Sequence, residues 1–206
     1  MLEARENSKI TLLKTHKYSP YDYVNGLITG DRDICAAFFD RYHKQINGLV
    51  HKFLGPDQEH EDLVNTVFLN ILSYASKIRD PQALQSLIST ITIKTVQKEI
   101  RKRQYRRKRV LFSDMPLENS IHNESHDNPI DNDAFTKKIF RILYTFPPDE
   151  HVHFVMHYLE GYTFEEISQI TGCSLSTAKR KGKSCKKRFM ENLDKDETLL
   201  HFLKER

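Results

Sequence analysis

Two segments of this 206-residue chain concentrate positive charge enough to imply a polyanionic partner. Lys94 to Arg109 holds nine basic residues against one acid, Glu99, and Lys179 to Arg188 holds seven with no acid. Cations crowded on one helix repel each other until counter-charge arrives, and nucleic-acid phosphates supply it. Between the two runs the sign reverses. Residues 111–135 carry six acids and no Lys or Arg, whereas residues 1–110 carry 19 basic against 12 acidic side chains, a net of +7. The whole-chain value of +4 hides this segregation.

Catalytic chemistry has no comparable foothold. The sequence shows no Gly-rich phosphate loop, no metal-ligand cluster and no nucleophile–base pattern, so neither an enzyme nor a cofactor is expected. Cys35, Cys173 and Cys185 lie far apart without a CxxC pair, which is neither a disulfide framework nor a zinc-finger spacing. Cys35 and Cys185 read as small apolar fillers. His151, His153 and His157 fall in one helix and read as exposed surface histidines rather than a zinc set.

The elements that position the cations are helical. Gly and Pro fill 14 of 206 positions, about half the ~12% of average usage, so turns are scarce. The longest apolar run is six residues, Ile34 to Phe39, far short of the roughly 18 that span a membrane. The N-terminus, MLEARENSKITLLK, lacks the apolar stretch of a signal peptide. A soluble, cytoplasmic, all-α protein with no membrane contact is expected.

From Asp31, Ile34, Phe38, Tyr42, Ile46, Leu49 and Phe53 form one helical face that Gly55-Pro56 stops. A second helix is expected from about Asp57 to Ile78, with Leu63, Val67, Ile71, Tyr74 and Ile78 inward. Val64, Phe68 and Leu72 widen its apolar stripe, which suits either a protein interface or the core of a small bundle. A third starts near Pro81, carries Leu84, Ile88, Ile91 and Thr95 on one face, then turns basic. The stretch Ser113–Asp133, rich in Asn, Ser, Asp and Pro, reads as a flexible linker.

Beyond it, Pro147-Pro148 opens a helix with Val152, Val155, Met156 and Leu159 inward, closed by Gly161. Thr163 and Glu166 make a capping-box pattern for a short helix whose Phe164, Ile167 and Ile170 face inward. Gly172 allows a sharp turn, Ser174 caps again, and a last helix buries Leu175, Ala178, Gly182, Cys185 and Phe189 while its other faces are basic or polar. Two short helices about a glycine turn, the second cationic, predict a helix-turn-helix.

Over about residues 21–193 the chain resembles the extracytoplasmic-function group of the sigma-70 family, bacterial RNA polymerase specificity factors. The resemblance rests on Leu27–Gly55, on EDLVNTVFLNIL (Glu61–Leu72), and on FPPDEHVHFVMHYLEGYTFEEISQITGCSLSTAKRKGKSCKKRF (Phe146–Phe189). It implies two small helical domains, region 2-like over 21–110 and a region 4-like helix-turn-helix over 136–193. The acidic linker 111–135 joins them, and tails 1–20 and 194–206 flank them. The linker resembles the family's connecting segment, which threads near the polymerase's nucleic-acid channel.

The resemblance further implies partners and roles. Asp62, Leu63, Asn65, Thr66, Phe68 and Leu69 would grip the clamp helices of the largest polymerase subunit, with the flap region as a second contact. Lys77, Arg79, Asp80 and Gln82, in the loop Ser76–Gln82, would take a flipped base of the melted promoter element. Lys94, Lys98, Arg101 and Lys102 would hold that strand's phosphates. Ser176, Thr177, Lys179, Arg180, Lys181 and Lys183 would read the distal promoter duplex, Arg180 having the fork to pair with a guanine edge. An anti-sigma factor and a separate DNA-targeting protein are further partners it leaves open, and a plain operator-binding regulator is the competing class.

The chain departs from the family at Leu87, where Trp is usual, at Lys94 and Lys98, where an Asn-plus-Asp pattern is usual, and at Ala178 and Gly182, where larger aliphatics are usual. Those two small residues imply either an unusually close helix contact or a loose domain that a targeting partner would have to place.

Overall fold

The computed structural model describes residues 18–55, 60–112 and 132–193, the side chains of 107–112 and 132–135 aside. Every element among them is helical. Helix α1 (Pro20–Thr29) is set by a capping box: Asp22 N–H donates to Ser19 Oγ, and Ser19 N–H donates to the Asp22 carboxylate at 2.7 Å. Helix α2 (Arg32–Leu54) begins where Asp31 Oδ1 accepts from the N–H groups of Asp33 and Ile34, both at 3.0 Å, and stops at Gly55.

Helix α3 (His60–Tyr74) ends four residues earlier than the apolar spacing suggests. Ala75–Lys77 tightens into a 3-10 turn and Ile78 is extended. Asp80, preceding Pro81, is extended too (φ −121°, ψ 102°), as the proline ring demands of the residue before it. The chain turns there and, after a 3-10 turn over Pro81–Ala83, enters the long helix α4 (Leu84–Phe112).

Phe38, Tyr42, Ile46, Leu49 and Phe53 are buried on α2, as the periodicity predicts. On α3, Leu63, Val67 and Ile71 are buried, but so are Val64 and Phe68, which the sequence offered as surplus width for a partner or for the core. The choice has a simple cause: α3 packs against both α2 and α4, so two of its faces are covered. Tyr74, expected inward, lies on the surface because the helix ends there.

The second block contains α5 (Asn132–Leu143), α6 (Pro148–Phe154), a π-helical turn (Val155–Leu159), α7 (Phe164–Thr171) and α8 (Leu175–Leu193). The expected acidic linker lies outside the described residues except at its ends, where α4 continues to Phe112 and α5 opens at Asn132. Both tails lie outside as well, apart from residues 18–20. Val152, Val155 and Met156 are buried as predicted. Leu159 is half-exposed instead, because the wider π turn rotates it off the inward stripe.

The two blocks pack on one another. The last carbonyls of α2 have no partner within their own helix, and side chains meet them in turn. His151 Nε2 lies 2.9 Å from Phe53 O, Tyr144 Oη donates to Leu54 O at 3.0 Å, and His60 Nε2 lies 2.6 Å from Gly55 O. Gln104 Nε2 donates to Phe146 O, and Lys52 pairs with Glu160 at 3.0 Å. His151 and His153, read from sequence as surface residues, are therefore fully buried. One caps α2; the other bonds through Nδ1 to Asp149 O one turn back. His157 is half-buried, its Nδ1 2.8 Å from Tyr162 O and its ring stacked 4.1 Å from that of Phe164.

Candidate nucleic-acid interface

Three surfaces collect the residues that the sequence singles out. The first is the outer face of α3. Asp62, Asn65, Thr66 and Leu69 are exposed there, whereas Leu63 and Phe68 point into the core and support the face from beneath. Leu69 is 65% exposed, and Leu72, Tyr74 and Phe39 of α2 extend the apolar patch. Phe39 was missed because it lies off the inward stripe of α2. Its ring packs tilted against that of Phe68 at 4.4 Å and is part-exposed, and the signal available in sequence was a second aromatic directly after Phe38.

The second surface is an open cleft of about 660 Å³ between the end of α3 and the start of α4, lined by Tyr74, Lys77, Ile78, Arg79, Asp80 and Leu87 among others. Lys77 Nζ sits 5.8 Å from the centre of the Tyr74 ring. Asp80 accepts from Gln82 N–H at 2.9 Å, so its carboxylate shapes the rim. Leu87 lies at the α4 wall. Residues 7 and 11 positions further along a helix share its face, and these are Lys94 and Lys98, both exposed and without an acidic partner among the described residues. Arg101 follows on the same stripe. Lys102 and Arg103 share Glu99, at 3.7 and 3.0 Å.

The third surface is α8. The Thr163–Glu166 capping box forms as predicted, with Glu166 N–H donating to Thr163 Oγ1 and Thr163 N–H donating back at 2.8 Å. Gly172 takes a left-handed φ of 73°, which side chains rarely adopt, and so turns the chain between α7 and α8. Ser174 Oγ then accepts from Thr177 N–H. Ser176, Lys179, Arg180 and Lys183 stand on the exposed face, Lys179 lying 3.9 Å from Glu165, while Thr177 is half-buried. Leu175, expected inward, is part-exposed at the opening turn of the helix.

Lys181 and Arg101 do not face open solvent in the same way. Asp149 of α6 takes Lys181 Nζ on Oδ2 at 2.8 Å, and Arg101 Nη2 and Gln97 Nε2 on Oδ1 at 2.7 and 3.1 Å. Burial alone would raise the Asp149 carboxyl, but the hydrogen bonds and charges of Lys181 and Arg101 outweigh it and hold it at about 2. Sequence gave no hint of Asp149, since its three partners lie 32 to 52 residues away.

Gly182 resolves the question posed by the small residues of α8. A Cβ there would sit 2.4 Å from Cε1 of Phe164, so the contact between α7 and α8 is an unusually close one. Glycine inside a helix costs about 1 kcal/mol against Ala, but overpacking costs roughly 1–3 kcal/mol, and the stack on His157 limits the retreat of Phe164. Gly182→Ala is therefore expected to lower stability by about 1 kcal/mol. In a Phe164→Ala background the same change is expected to raise it. Thermal denaturation of the four chains checks the reversal. Cys185 beside it is buried, and that burial, with the Glu150 charge adding, pushes its thiol up to about 12. It is a filler, as read from sequence.

Comparison with known proteins fits this geometry. The Sigma-70 region 2 description matches residues 38–106, and Sigma-70, region 4 matches residues 138–183. No curated protein matches the chain. Among solved structures, CnrH in complex with the cytosolic domain of CnrY is similar at a TM-score of 0.56 and 12% identity, over 85% of this chain and 97% of that one. The sigma factor RpoE in complex with the anti-sigma factor NepR, from Bartonella quintana, is similar at 0.53 and 17%, over 77% and 96%. The fold, with region 2 followed by region 4, is that of a transcription specificity factor. The chain belongs to the sigma-70 family, with the region 2 plus region 4 layout of its extracytoplasmic-function group. No helix among the described residues is long and apolar enough to cross a membrane.

Proposed function

We propose that this sigma factor docks on core RNA polymerase through the exposed face of α3, captures an unpaired promoter base in the cleft beside α4, and reads a distal duplex element with α8. The observation that carries the reading is the single stripe of Leu87, Lys94, Lys98 and Arg101, which starts in the cleft wall and becomes cationic. A strand whose base enters the cleft finds counter-charge along the same helix face. Holding a base out of its stack costs a few kcal/mol, which a pocket and phosphate contacts offset. Binding of the separated strand then favours the open state without any nucleotide hydrolysis. Lys in place of the family's usual residues on α4 shifts the balance there from base contacts toward phosphate contacts.

An inhibitory protein partner is supported by the two solved neighbours, each in complex with a second protein. Core polymerase supplied with the purified chain and a library of genomic promoter fragments is expected to produce discrete transcription starts. Core enzyme with the chain giving only the background of core enzyme alone would overturn the reading.

A further inference from the structure

Arg101 and Lys181 belong to the two cationic runs, one in each block, and both end on one carboxylate. That carboxylate lies in neither run. Asp149 stands in the first turn of α6, and each of its oxygens faces a different block: Oδ1 takes Arg101 and Gln97 of α4, Oδ2 takes Lys181 of α8. These are charge-assisted contacts of the kind a phosphate makes, with two anionic oxygens and donors on both sides. They are also reachable. The side chains of Asp149 and Arg101 are 35% and 54% exposed, so an incoming polyanion meets them without the core having to open.

The stripe from the cleft runs through Lys94 and Lys98 into Arg101. A strand following it would arrive with its backbone at a site where a negative charge is already seated. Other acids of the second block sit against α8 as well, Glu165 at Lys179 and Glu150 accepting from Ser184, but neither joins the two blocks, and Glu160, which does, meets Lys52 of α2 and neither cationic run.

We propose that Asp149 is an internal stand-in for a DNA phosphate, a clasp that closes the two DNA-binding blocks on each other until nucleic acid displaces it. The inference deepens the promoter-binding reading and rests on it, since it names the exposed contact that DNA would displace at that site, beside the contacts of His151, Tyr144 and Lys52 that also join the blocks. In the closed chain Arg101 of α4 and Lys181 of α8 are satisfied from within. Nucleic acid exchanges one anion for another, and the exchange frees the blocks to take separate stretches of DNA. The apparent affinity of the free chain is lowered by the fraction that is closed.

The test uses the full chain and three variants: Asp149→Asn, Asp149→Ser, and Glu165→Gln as the charge control beside α8. Serine is well suited to a first helical turn, so the answer does not hang on how one variant folds. Anisotropy of a labelled oligo(dT) strand reads affinity, and small-angle X-ray scattering reads how far apart the blocks sit. Both Asp149 variants are expected to bind about tenfold more tightly than the parent and to show a larger radius of gyration, while Glu165→Gln gains less than about twofold. Asp149 variants that gain no more than Glu165→Gln, or that keep the parent radius, overturn the clasp and leave the promoter reading standing. Expanded Asp149 variants with no DNA binding by any of the chains overturn the promoter reading instead.

Discussion

Leu69→Arg is expected to abolish association with core polymerase while the chain stays folded and keeps its affinity for duplex DNA. The residue is 65% exposed on α3, so its side chain contributes little to the core. An apolar residue presented this openly, flanked by Leu72, Tyr74 and Phe39, gains its burial from a partner. Truncating a central interface residue costs about 2 kcal/mol or more, and a buried unpaired guanidinium adds to that. A loss of at least 30-fold, or roughly 2 kcal/mol, is therefore the minimum expected. Asp62→Lys at the start of the same helix is expected to act in the same direction by reversing the charge offered to the partner. It also sacrifices a favourable acid in the first turn of α3, worth about 0.3–1 kcal/mol.

The control is Leu63→Ala. Leu63 neighbours Asp62 but is buried, so its truncation should cost about 2–5 kcal/mol of stability and show in a melting curve. Co-migration of each variant with core polymerase, beside its melting temperature, separates a damaged surface from a damaged fold. The same pair of measurements separates the classes of function. An operator-binding regulator that never meets polymerase would lose nothing with Leu69→Arg, and an unchanged co-migration would exclude the docking surface assigned to α3.

Much of this was legible because its causes are local. The stripe of α2, the capping box of Thr163 and Glu166, and the left-handed turn at Gly172 depend on residues a few positions apart, and each stands where spacing placed it. What escaped was decided by packing between distant segments. Val64 and Phe68 carry the same side chains whether one or two neighbours cover α3, so their burial could not be read from its sequence. Leu159 follows a helical spacing that a single π turn breaks. The helix-turn-helix was visible, but Asp149, which ties Lys181 of α8 to Arg101 of α4, looked like any acid after a proline pair. The histidines are the clearest case. Imidazole suits a surface, a metal or a cap equally well, and the choice at His151 was made by a carbonyl 98 residues earlier.

That choice has a measurable price in acid. His151 is fully buried against Tyr144, with Nε2 on Phe53 O. Burial pulls its imidazole down to about 4, only partly countered by the bond to Phe53, against an ordinary 6.5. Between those values the unfolded chain binds a proton that the folded chain refuses, so stability rises with pH across the window. The contribution is complete above pH 6.5, falls as pH drops toward 4, and is flat below. At about 1.36 kcal/mol per pH unit the loss amounts to roughly 3 kcal/mol. Asp149 does not blur the window, because a carboxyl lowered from 3.8 to about 2 loses its contribution only in stronger acid.

His153 titrates in the same direction, its pKa lowered chiefly by burial, so the wild-type curve alone is not diagnostic. His151→Gln is. Glutamine keeps an N–H donor for the end of α2 and removes the titration, whereas His151→Leu leaves Phe53 O unpaired at a cost of about 1–3 kcal/mol at every pH. Urea unfolding at a series of pH values is expected to show the wild-type chain losing about 3 kcal/mol more than His151→Gln between pH 6.5 and 4. Parallel curves for the two chains would mean that His151 is not what seals the second block onto the end of α2.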